Sequence, residues 1–395
     1  MQFFKDFSLS ALSAGFVAVL VGITSSVALV FQAAQAFGAT PAQISSWMWA
    51  LGWGIGLCCV LPSLWLRKPV MVAWSTPGAA VLAAAGGSGG FSMAEAVGAF
   101  MLSAALITLF GYSGWFEKLM DRIPGSIAAA LLAGVLVRFG LQVFESAQTA
   151  LPLVLIMLLA YLCARRWLPR YAVMLTLLVG VVWAMVQGQM QWERVQWSFA
   201  VPQWTTPAFS WQACISLALP LFVVTMASQN LPGVAVMRST GFAMPVSKLV
   251  GLTGLTTLVL APFGAFGINL AAISAAICMG PEAHAQPEKR YTAAVWCGLL
   301  YILIGIFGAV VAGLLAAFPK ELVMAIAGLA LLGSISGGLV AALQQESSRE
   351  PALITFLVTL SGVVIAGVGS AFWGVVAGSL ALFVQQYKPW RTTPR

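Results

Sequence analysis

The residues best suited to binding an anion begin a very short apolar segment. Ser75 and Pro77 are residue types that start helices, as a hydroxyl N-cap and as a proline at the first positions. The apolar run from Gly78 to Ala85 would be about 12 Å long as a helix, which is too short to cross a membrane. Because the first N–H groups of a helix are unpaired and carry the positive end of its dipole, we expect Ser75, Thr76 and Gly78 to bind an anionic group.

A second start of this kind is expected in the stretch GAFGIN, residues 264–269. Asn269 is expected to be the N-cap of the second short helix, and its amide can donate hydrogen bonds to a carboxylate. We therefore place the substrate group between residues 76–78 and a second set of donors formed by Ile268, Asn269 and Leu270. The alternative is that both segments are kinked or re-entrant helices that bind nothing.

Three consecutive polar residues, Ser228, Gln229 and Asn230, interrupt an apolar segment later in the chain. Polar groups in the bilayer interior are costly unless they are hydrogen-bonded, and they commonly mark a substrate or ion path. We predict that these three residues contribute to the same site. The alternative is that they only form hydrogen bonds between helices.

Five ionisable residues are candidates for proton coupling or gating: Glu95, Arg138, Glu145, Glu282 and His284. Arg138 could pair with Glu145 in a gate, contact a bound anion, or extend its charged end to the membrane surface. His284, the only histidine, could act as a pH switch or lie in a surface loop, and Glu95 is an ordinary residue at a helix start. A further alternative needs no carrier residue, because the substrate could cross as its protonated acid.

The elements that would hold these residues are apolar and membrane-embedded. Of the 395 residues, 61% are hydrophobic and 8% are charged, whereas roughly 25% of residues are charged in globular domains. The residues that give the net charge of +8 are scattered rather than clustered, which argues against a nucleic-acid partner. The six cysteines form no metal-binding pattern, and the sequence has no HExxH or GxSxG motif. We therefore expect no metal, no cofactor and no enzymatic activity.

Apolar segments divide the chain into fourteen pieces, which lie near 10–36, 43–66, 70–85, 91–112, 124–142, 150–167, 171–188, 212–232, 245–263, 266–279, 291–316, 319–340, 351–367 and 370–386. A Trp-rich periplasmic connector at 189–211 separates the half 1–188 from the half 212–395. The third segment of each half is shorter than the roughly 20 residues of an ordinary span. An odd number of spans inverts one half relative to the other, as in secondary transporters. With a cytoplasmic N-terminus, most of the 19 Lys and Arg residues fall in cytoplasmic segments.

The stretches TMASQNLPGVAVMRSTG (225–241) and NLAAISAAICMGPEAHAQPEKRY (269–291) resemble the benzoate:proton symporter family of bacterial inner membranes. GPEAHAQPEKRY (280–291) is the most specific piece, and the resemblance covers essentially the whole chain. That family is similar in turn to nucleobase:cation symporters and sulfate-type anion transporters. The resemblance implies an all-α membrane protein of about fourteen transmembrane segments in two inverted repeats of seven.

The resemblance also implies a division into two domains. The core would comprise segments 1–4 and 8–11, about 8–112 and 212–316, and the gate segments 5–7 and 12–14, about 124–188 and 319–386. A short strand plus a half-helix is implied at segments 3 and 10, with the substrate between them. The nucleobase symporters carry acidic residues in spans eight and ten, whereas this sequence has Ser228 or Gln229 and Ile268 at the matching positions. A carboxylate substrate suits this difference, since two buried anions repel each other.

We therefore expect an inner-membrane secondary transporter that imports an aromatic carboxylate, most simply benzoate, with protons by alternating access. Both termini would lie in the cytoplasm, and similar folds imply a homodimer formed through the gate. The alternatives are a transporter of the same fold for another organic or inorganic anion or for a nucleobase, and a passive anion channel.

Overall fold

The computed structural model describes residues 5–114, 125–168, 172–195, 197–281, 283–363, 365 and 370–386, which are mostly helical. The first half contains α1 (Leu9–Ala36), α2 (Pro41–Leu66), β1 (Val72–Trp74), α3 (Thr76–Gly89), α4 (Met93–Tyr112), α5 (Gly125–Trp167) and α6 (Ala172–Val186). The second half contains α7 (Trp211–Ala213), α8 (Leu219–Thr225), α9 (Leu231–Ser239), α10 (Val246–Leu260), β2 (Ile268–Leu270), α11 (Ile273–Met279), α12 (Tyr291–Ile306), α13 (Gly308–Ala317), α14 (Lys320–Leu343), α15 (Arg349–Ser361) and α16 (Ser370–Gln386). Two π-helical turns, π1 (Cys214–Ala218) and π2 (Met226–Asn230), join α7, α8 and α9 into one helical segment.

Many of these helices can cross a bilayer. Within the described residues, 7 helices are long and apolar enough to do so, or 8 if α1, which bends by 41° between Ile23 and Ser26, is counted as one span. Three further apolar helices are shorter: Ala172–Val186, Gly308–Ala317 and Ser370–Gln385. The chain is therefore a multi-pass membrane protein, as its composition predicts.

Helix α5 covers two of the predicted segments. Its backbone leaves helical geometry at Ala150 (φ −135°, ψ 51°), shortly before Pro152. The break lies at the predicted boundary between the segments 124–142 and 150–167. The predicted segment 291–316 is also divided, because α12 ends at Ile306 and α13 begins at Gly308. Hydropathy thus locates the apolar stretches, but it does not locate a break inside one of them.

A two-stranded antiparallel ribbon joins the two halves of the chain. β1 pairs with β2 so that Val72 lies opposite Leu270, Ala73 opposite Asn269 and Trp74 opposite Ile268. Each strand leads within three residues into a helix, α3 after β1 and α11 after β2. Because the strands are antiparallel, the two helices leave the ribbon in opposite directions, with their N-termini at its two ends. A short strand followed by a short helix is therefore present at both 70–85 and 266–279, where the segments are expected to be short.

The connector between the halves lies across the ends of the helices. In its described part, the regular structure is a single turn at Trp192–Arg194. The Ala200 N–H donates to the carbonyl of Ile306 at 2.8 Å, and the Thr205 N–H donates to the carbonyl of Pro262 at 2.8 Å. Its backbone thus ties together the ends of two separate helical segments.

Helices α2 and α12 cross at close range because glycines face each other. A Cβ added to Gly52 would lie 2.6 Å from the Gly305 Cα and 2.6 Å from the Tyr301 carbonyl oxygen. A Cβ added to Gly298 would lie 2.8 Å from the Gly56 carbonyl oxygen. Small residues allow two backbones to approach this closely, and in a membrane such packing is a main source of helix association.

Replacing Gly52 by alanine is expected to lower the thermal unfolding midpoint of the purified protein, because the obstructing atoms belong to backbone that cannot move aside. Overpacking of this kind costs about 1–3 kcal/mol. Gly337→Ala is the matched control, since a Cβ built there has no atom within 4 Å among the described residues beyond its own stretch of helix, and alanine favours the helix. Equal midpoints for Gly52→Ala and the wild type would contradict a tight contact between these helices.

Candidate functional site

The start of α3 has the cap that its sequence predicts. Ser75 is the N-cap: its Oγ accepts a hydrogen bond from the Gly78 N–H at 3.0 Å, and its own N–H donates to the Gly267 carbonyl at 2.8 Å. Ser75 Oγ also lies 3.2 Å from the Thr225 hydroxyl. Since the second helical residue is a proline without an N–H, the Thr76 N–H is the one free donor at this start within the described residues.

The start of α11 differs from the prediction. The expectation that Asn269 caps this helix is wrong, because Asn269 is the central residue of β2. The N-cap is Ala272, which makes no side-chain capping hydrogen bond. Pairing with β1 holds the chain extended, so the helix begins three residues later than a cap at Asn269 would place it. The N–H groups of Ile273, Ser274 and Ala275 therefore have no acceptor within the helix, and no polar cap residue in the sequence marks them.

The Asn269 side chain is fully buried and only partly hydrogen-bonded. Its Nδ2 donates to the Gly267 carbonyl at 2.7 Å, whereas its Oδ1 has no hydrogen-bond partner among the described residues. The amide cannot be turned over, because Oδ1 would then face the Gly267 oxygen. A buried acceptor without a partner costs about 1–3 kcal/mol. Asn269 Oδ1 is therefore a place where the O–H of a ligand or of a water would bind.

The N–H groups of Ile268 and Leu270, expected as donors to the substrate, have partners inside the protein. Ile268 donates to Thr257 Oγ1 at 3.2 Å, and Leu270 donates to Asn230 Oδ1 at 2.9 Å. Asn230 is fully buried, and its Nδ2 donates to Met226 Sδ at 3.4 Å. Asn230 thus binds the backbone of β2, so its hydrogen bonds lie within the protein, as in the alternative to substrate binding, although the partner is a strand and not a helix. The part that these three residues take in binding stays a prediction.

Ser228 and Gln229 lie in π2, a turn wound with one extra residue, and such turns are frequent at functional sites. Both side chains are half-buried. Ser228 lines a cavity of about 340 Å³ that π2 shares with α5 and α14. These two residues therefore lie where the segment bearing the polar triplet meets α5 and α14, and their contact with substrate stays a prediction.

The ionisable candidates outside α5 occupy a helix start and a loop. Glu95 accepts hydrogen bonds from the N–H (3.0 Å) and hydroxyl (2.9 Å) of Ser92, which completes a capping box at the start of α4. His284 lies in the loop after α11, where its Nδ1 accepts a hydrogen bond from the Gln286 N–H at 3.0 Å. Glu282 lies outside the described residues. In the described part of the chain, no group of three or more His, Cys, Asp or Glu could hold a metal ion.

Arg138 and Glu145 both line one cavity of about 590 Å³. Within the described ranges they form no ion pair with each other, so the structure does not show the gate pair that their spacing allows. Their assignment to gating stays a prediction.

Aromatic side chains hold the ribbon in the core. Trp74 Nε1 donates to Ser26 Oγ at 2.7 Å, and the Trp74 ring packs edge-on against Tyr301 with centroids 5.9 Å apart. Phe266, just before β2, packs against Trp47 with centroids 5.6 Å apart. These contacts fix both strands against helices α1, α2 and α12.

Comparison with known sequences identifies the family. The family model described as "Benzoate membrane transport protein" matches residues 5–384. The chain is 48% identical over 373 residues to the "Inner membrane protein YdcO" of Escherichia coli K12, a match that covers 94% of this chain and 95% of that protein. It is 40% identical over 380 residues to the "Benzoate membrane transport protein" of Acinetobacter baylyi, covering 96% of each chain.

Two solved structures share the fold. The structure of SLC26A9 matches with a TM-score of 0.63 at 15% identity, covering 97% of this chain and 66% of that one. The transmembrane domain of the cyanobacterial bicarbonate transporter BicA matches with a TM-score of 0.57 at 14% identity, covering 94% and 97%. At these identities the likeness concerns the fold alone.

Replacing Asn230 by leucine is expected to lower the thermal unfolding midpoint, because the buried Leu270 N–H loses its acceptor. An unpaired buried donor costs about 1–3 kcal/mol. Gln229→Leu is the matched variant, since Gln229 is half-buried and makes no hydrogen bond within the described residues, and we expect its midpoint to stay near that of the wild type. Similar midpoints for the two variants would argue that the Asn230 hydrogen bond does not stabilise the ribbon.

Proposed function

The chain belongs to the benzoate membrane transport protein family, and on this premise we propose that it is a secondary active transporter that imports an aromatic carboxylate, benzoate, with protons by alternating access. The observation that carries the proposal is the ribbon of β1 and β2, from whose two ends α3 and α11 depart. A three-residue ribbon measures about 7 Å from its first to its last residue. Ser75 separates one end from the start of α3, and Ala271 and Ala272 separate the other end from the start of α11, so both helix starts border this short ribbon.

The proposed architecture has two inverted repeats of seven segments, residues 1–188 and 212–395, in the inner membrane. Segments at about 8–112 and 212–316 form the core, and those at about 124–188 and 319–386 form the gate that the core moves against. The antiparallel pairing of β1 and β2 supports this arrangement. If the two halves are inverted copies, the equivalent strand of the second half runs in the opposite direction to that of the first. The fold shared with SLC26A9 and BicA supports it as well.

The proposed position of the carboxyl group is the face of the ribbon that carries Ala73 and Asn269. Residues directly opposite each other in a ribbon project their side chains from the same face. On this face Ala73 is partly exposed and Asn269 is buried, whereas the neighbours Val72 and Trp74 are buried on the other face, so a ligand would approach from the Ala73 side. At one end lies the Thr76 N–H, free within the described residues, with the positive end of the α3 dipole. At the other end lie the first N–H groups of α11, which have no acceptor within that helix.

The proposed coupling places the proton on the substrate itself. The sequences of β1, β2, π2 and the first turns of α3 and α11 contain no Asp, Glu or His. A carboxylic acid bound there would donate its O–H to Asn269 Oδ1, and its carbonyl oxygen would accept from the backbone N–H groups. The acid takes up its proton from water on one side of the membrane and returns it to water on the other. Each benzoate thus carries one proton without a titrating residue in the protein.

Uptake of labelled benzoate into proteoliposomes is expected to raise the internal benzoate concentration above the external one when the external solution is more acidic than the interior. Addition of a protonophore is expected to abolish the accumulation. Empty liposomes give the leak of neutral benzoic acid that must be subtracted. Protein-dependent uptake that never raises the internal benzoate concentration above the external one would indicate a passive channel. If no uptake depends on the protein, a panel of other anions must be tested as substrates.

Asn269→Ala is expected to weaken benzoate binding about tenfold, which corresponds to the loss of one hydrogen bond of about 1.4 kcal/mol. The thermal unfolding midpoint is expected to change little, because removing the buried Oδ1, which has no partner among the described residues, offsets the loss of the Nδ2 hydrogen bond, and the Gly267 carbonyl keeps the Ser75 N–H. Gln286→Ala, which removes an exposed amide in the loop after α11, is the control for uptake. Unchanged uptake by Asn269→Ala would move the site away from the ribbon.

A further inference from the structure

A second polar cavity lies away from the ribbon. Arg138 is half-buried in an apolar stretch of α5 and lines a cavity of about 590 Å³ between α1, α3 and α5, which we name the Arg138 cavity. Its other polar lining residues are Gln32, Gln142 and Glu145, and its apolar lining includes Phe139 and Leu360.

The Arg138 guanidinium makes no hydrogen bond and no ion pair within the part of the chain that the structure describes. Arginine keeps its charge in proteins, and an unpaired charge inside a membrane is costly. The group lies against the end of α15, where a Cβ added to Gly362 (φ +70°) would collide with Arg138 Nη2. The negative end of the α15 dipole therefore offsets part of the charge, and the N–H donors stay available to a ligand.

Two amide atoms in the lining of the cavity also have no partner. Gln32 Nε2 and Gln142 Oε1 are buried and make no hydrogen bond among the described residues. Gln32 comes from α1, and Gln142 lies about one turn beyond Arg138 on α5, so unpaired polar atoms flank the cavity on both sides. A ligand with two acceptor oxygens would satisfy the guanidinium and the Gln32 amide together, and a bridging water would satisfy Gln142.

We infer that the Arg138 cavity is a second binding site for a carboxylate anion, separate from the ribbon, and this inference rests on the proposed function. Ala83 and Gly87 of α3 line the cavity, which places it about 10–16 Å along that helix from Thr76. The cavity is large enough for an aromatic ring, since a cavity of roughly 150 Å³ already binds benzene. The ionised substrate is held here by a charged side chain before it reaches the uncharged ribbon.

Arg138→Gln is expected to raise the KM for benzoate uptake about tenfold, the effect of losing one charge-assisted contact, with little change in the maximal rate. Arg138→Lys keeps the charge but loses the two-pronged geometry, so its KM falls between those of the wild type and Arg138→Gln.

Glu145→Gln removes a negative charge from the lining of the Arg138 cavity and is expected to lower the KM for benzoate uptake. Arg166→Gln changes the same charge on the exposed last turn of α5 and is the matched control, with an unchanged KM.

Calorimetric titration of the purified protein with benzoate separates this inference from the proposed function. A benzoate site that Asn269→Ala keeps and Arg138→Gln loses supports the inference, even if liposomes show no proton-driven uptake. Unchanged binding and KM in Arg138→Gln overturn it, even if the wild type accumulates benzoate with protons. It is also overturned if Arg138→Gln and Arg138→Lys lose thermal stability and maximal rate equally, which is the signature of a purely structural arginine.

Discussion

Backbone pairing between three residues of the first half and three of the second holds the centre of this protein together. In a bilayer interior every N–H and C=O group needs a partner, so a short ribbon with two open edges is stable only if side chains cover those edges. Cys59 Sγ lies 3.3 Å from the Val72 N–H at the edge of β1, and Thr257 and Asn230 accept from the N–H groups at the edge of β2. Side chains of the surrounding helical segments thus accept from N–H groups at both edges of the ribbon, and α3 and α11 begin at its two ends.

This arrangement separates two kinds of polar contact for an anion. At the ribbon the available groups are neutral: backbone N–H groups, helix dipoles and the Asn269 amide. In the Arg138 cavity the available group is a full charge whose donors are not used within the described residues. Removing a carboxylate from water costs much more than removing its protonated form. A charged cavity and an uncharged centre therefore suit the ionised and the protonated states of one weak acid.

The sequence predicts the first helix start well and the second poorly, for a physical reason. Ser75 and Pro77 carry local signals that act on the next few residues, and the structure has the predicted cap. Asn269 carries the same kind of local signal, but pairing with a distant strand overrides it and moves the helix start to Ile273. The free donors that follow Ala272 have apolar or small side chains, so residue type gives no sign of them.

The polar triplet shows the same limit. Its position in an apolar segment indicates that the side chains need partners, but it does not indicate whether a partner is a ligand or a neighbouring backbone group. Asn230 binds the β2 backbone, whereas Ser228 lines a cavity. The sequence equally gives no sign that the Arg138 guanidinium has no partner in the described part of the chain, because the spacing along α5 allows a pair with Glu145 that the described residues do not form. Only the folded structure distinguishes an arginine that is paired from one that is available.

The position of the two strands in the chain has a consequence for how the protein is made. β1 is synthesised about two hundred residues before β2, and at 5–20 residues per second the wait is about 10–40 s. During that interval one edge of β1 is already covered, because Cys59 lies on the preceding helix, but the other edge has no partner from the chain. The first half must therefore stay in an environment where the unpaired N–H and C=O groups of β1 can be hydrogen-bonded, such as the insertion machinery or a water-filled cleft, until the second half is synthesised.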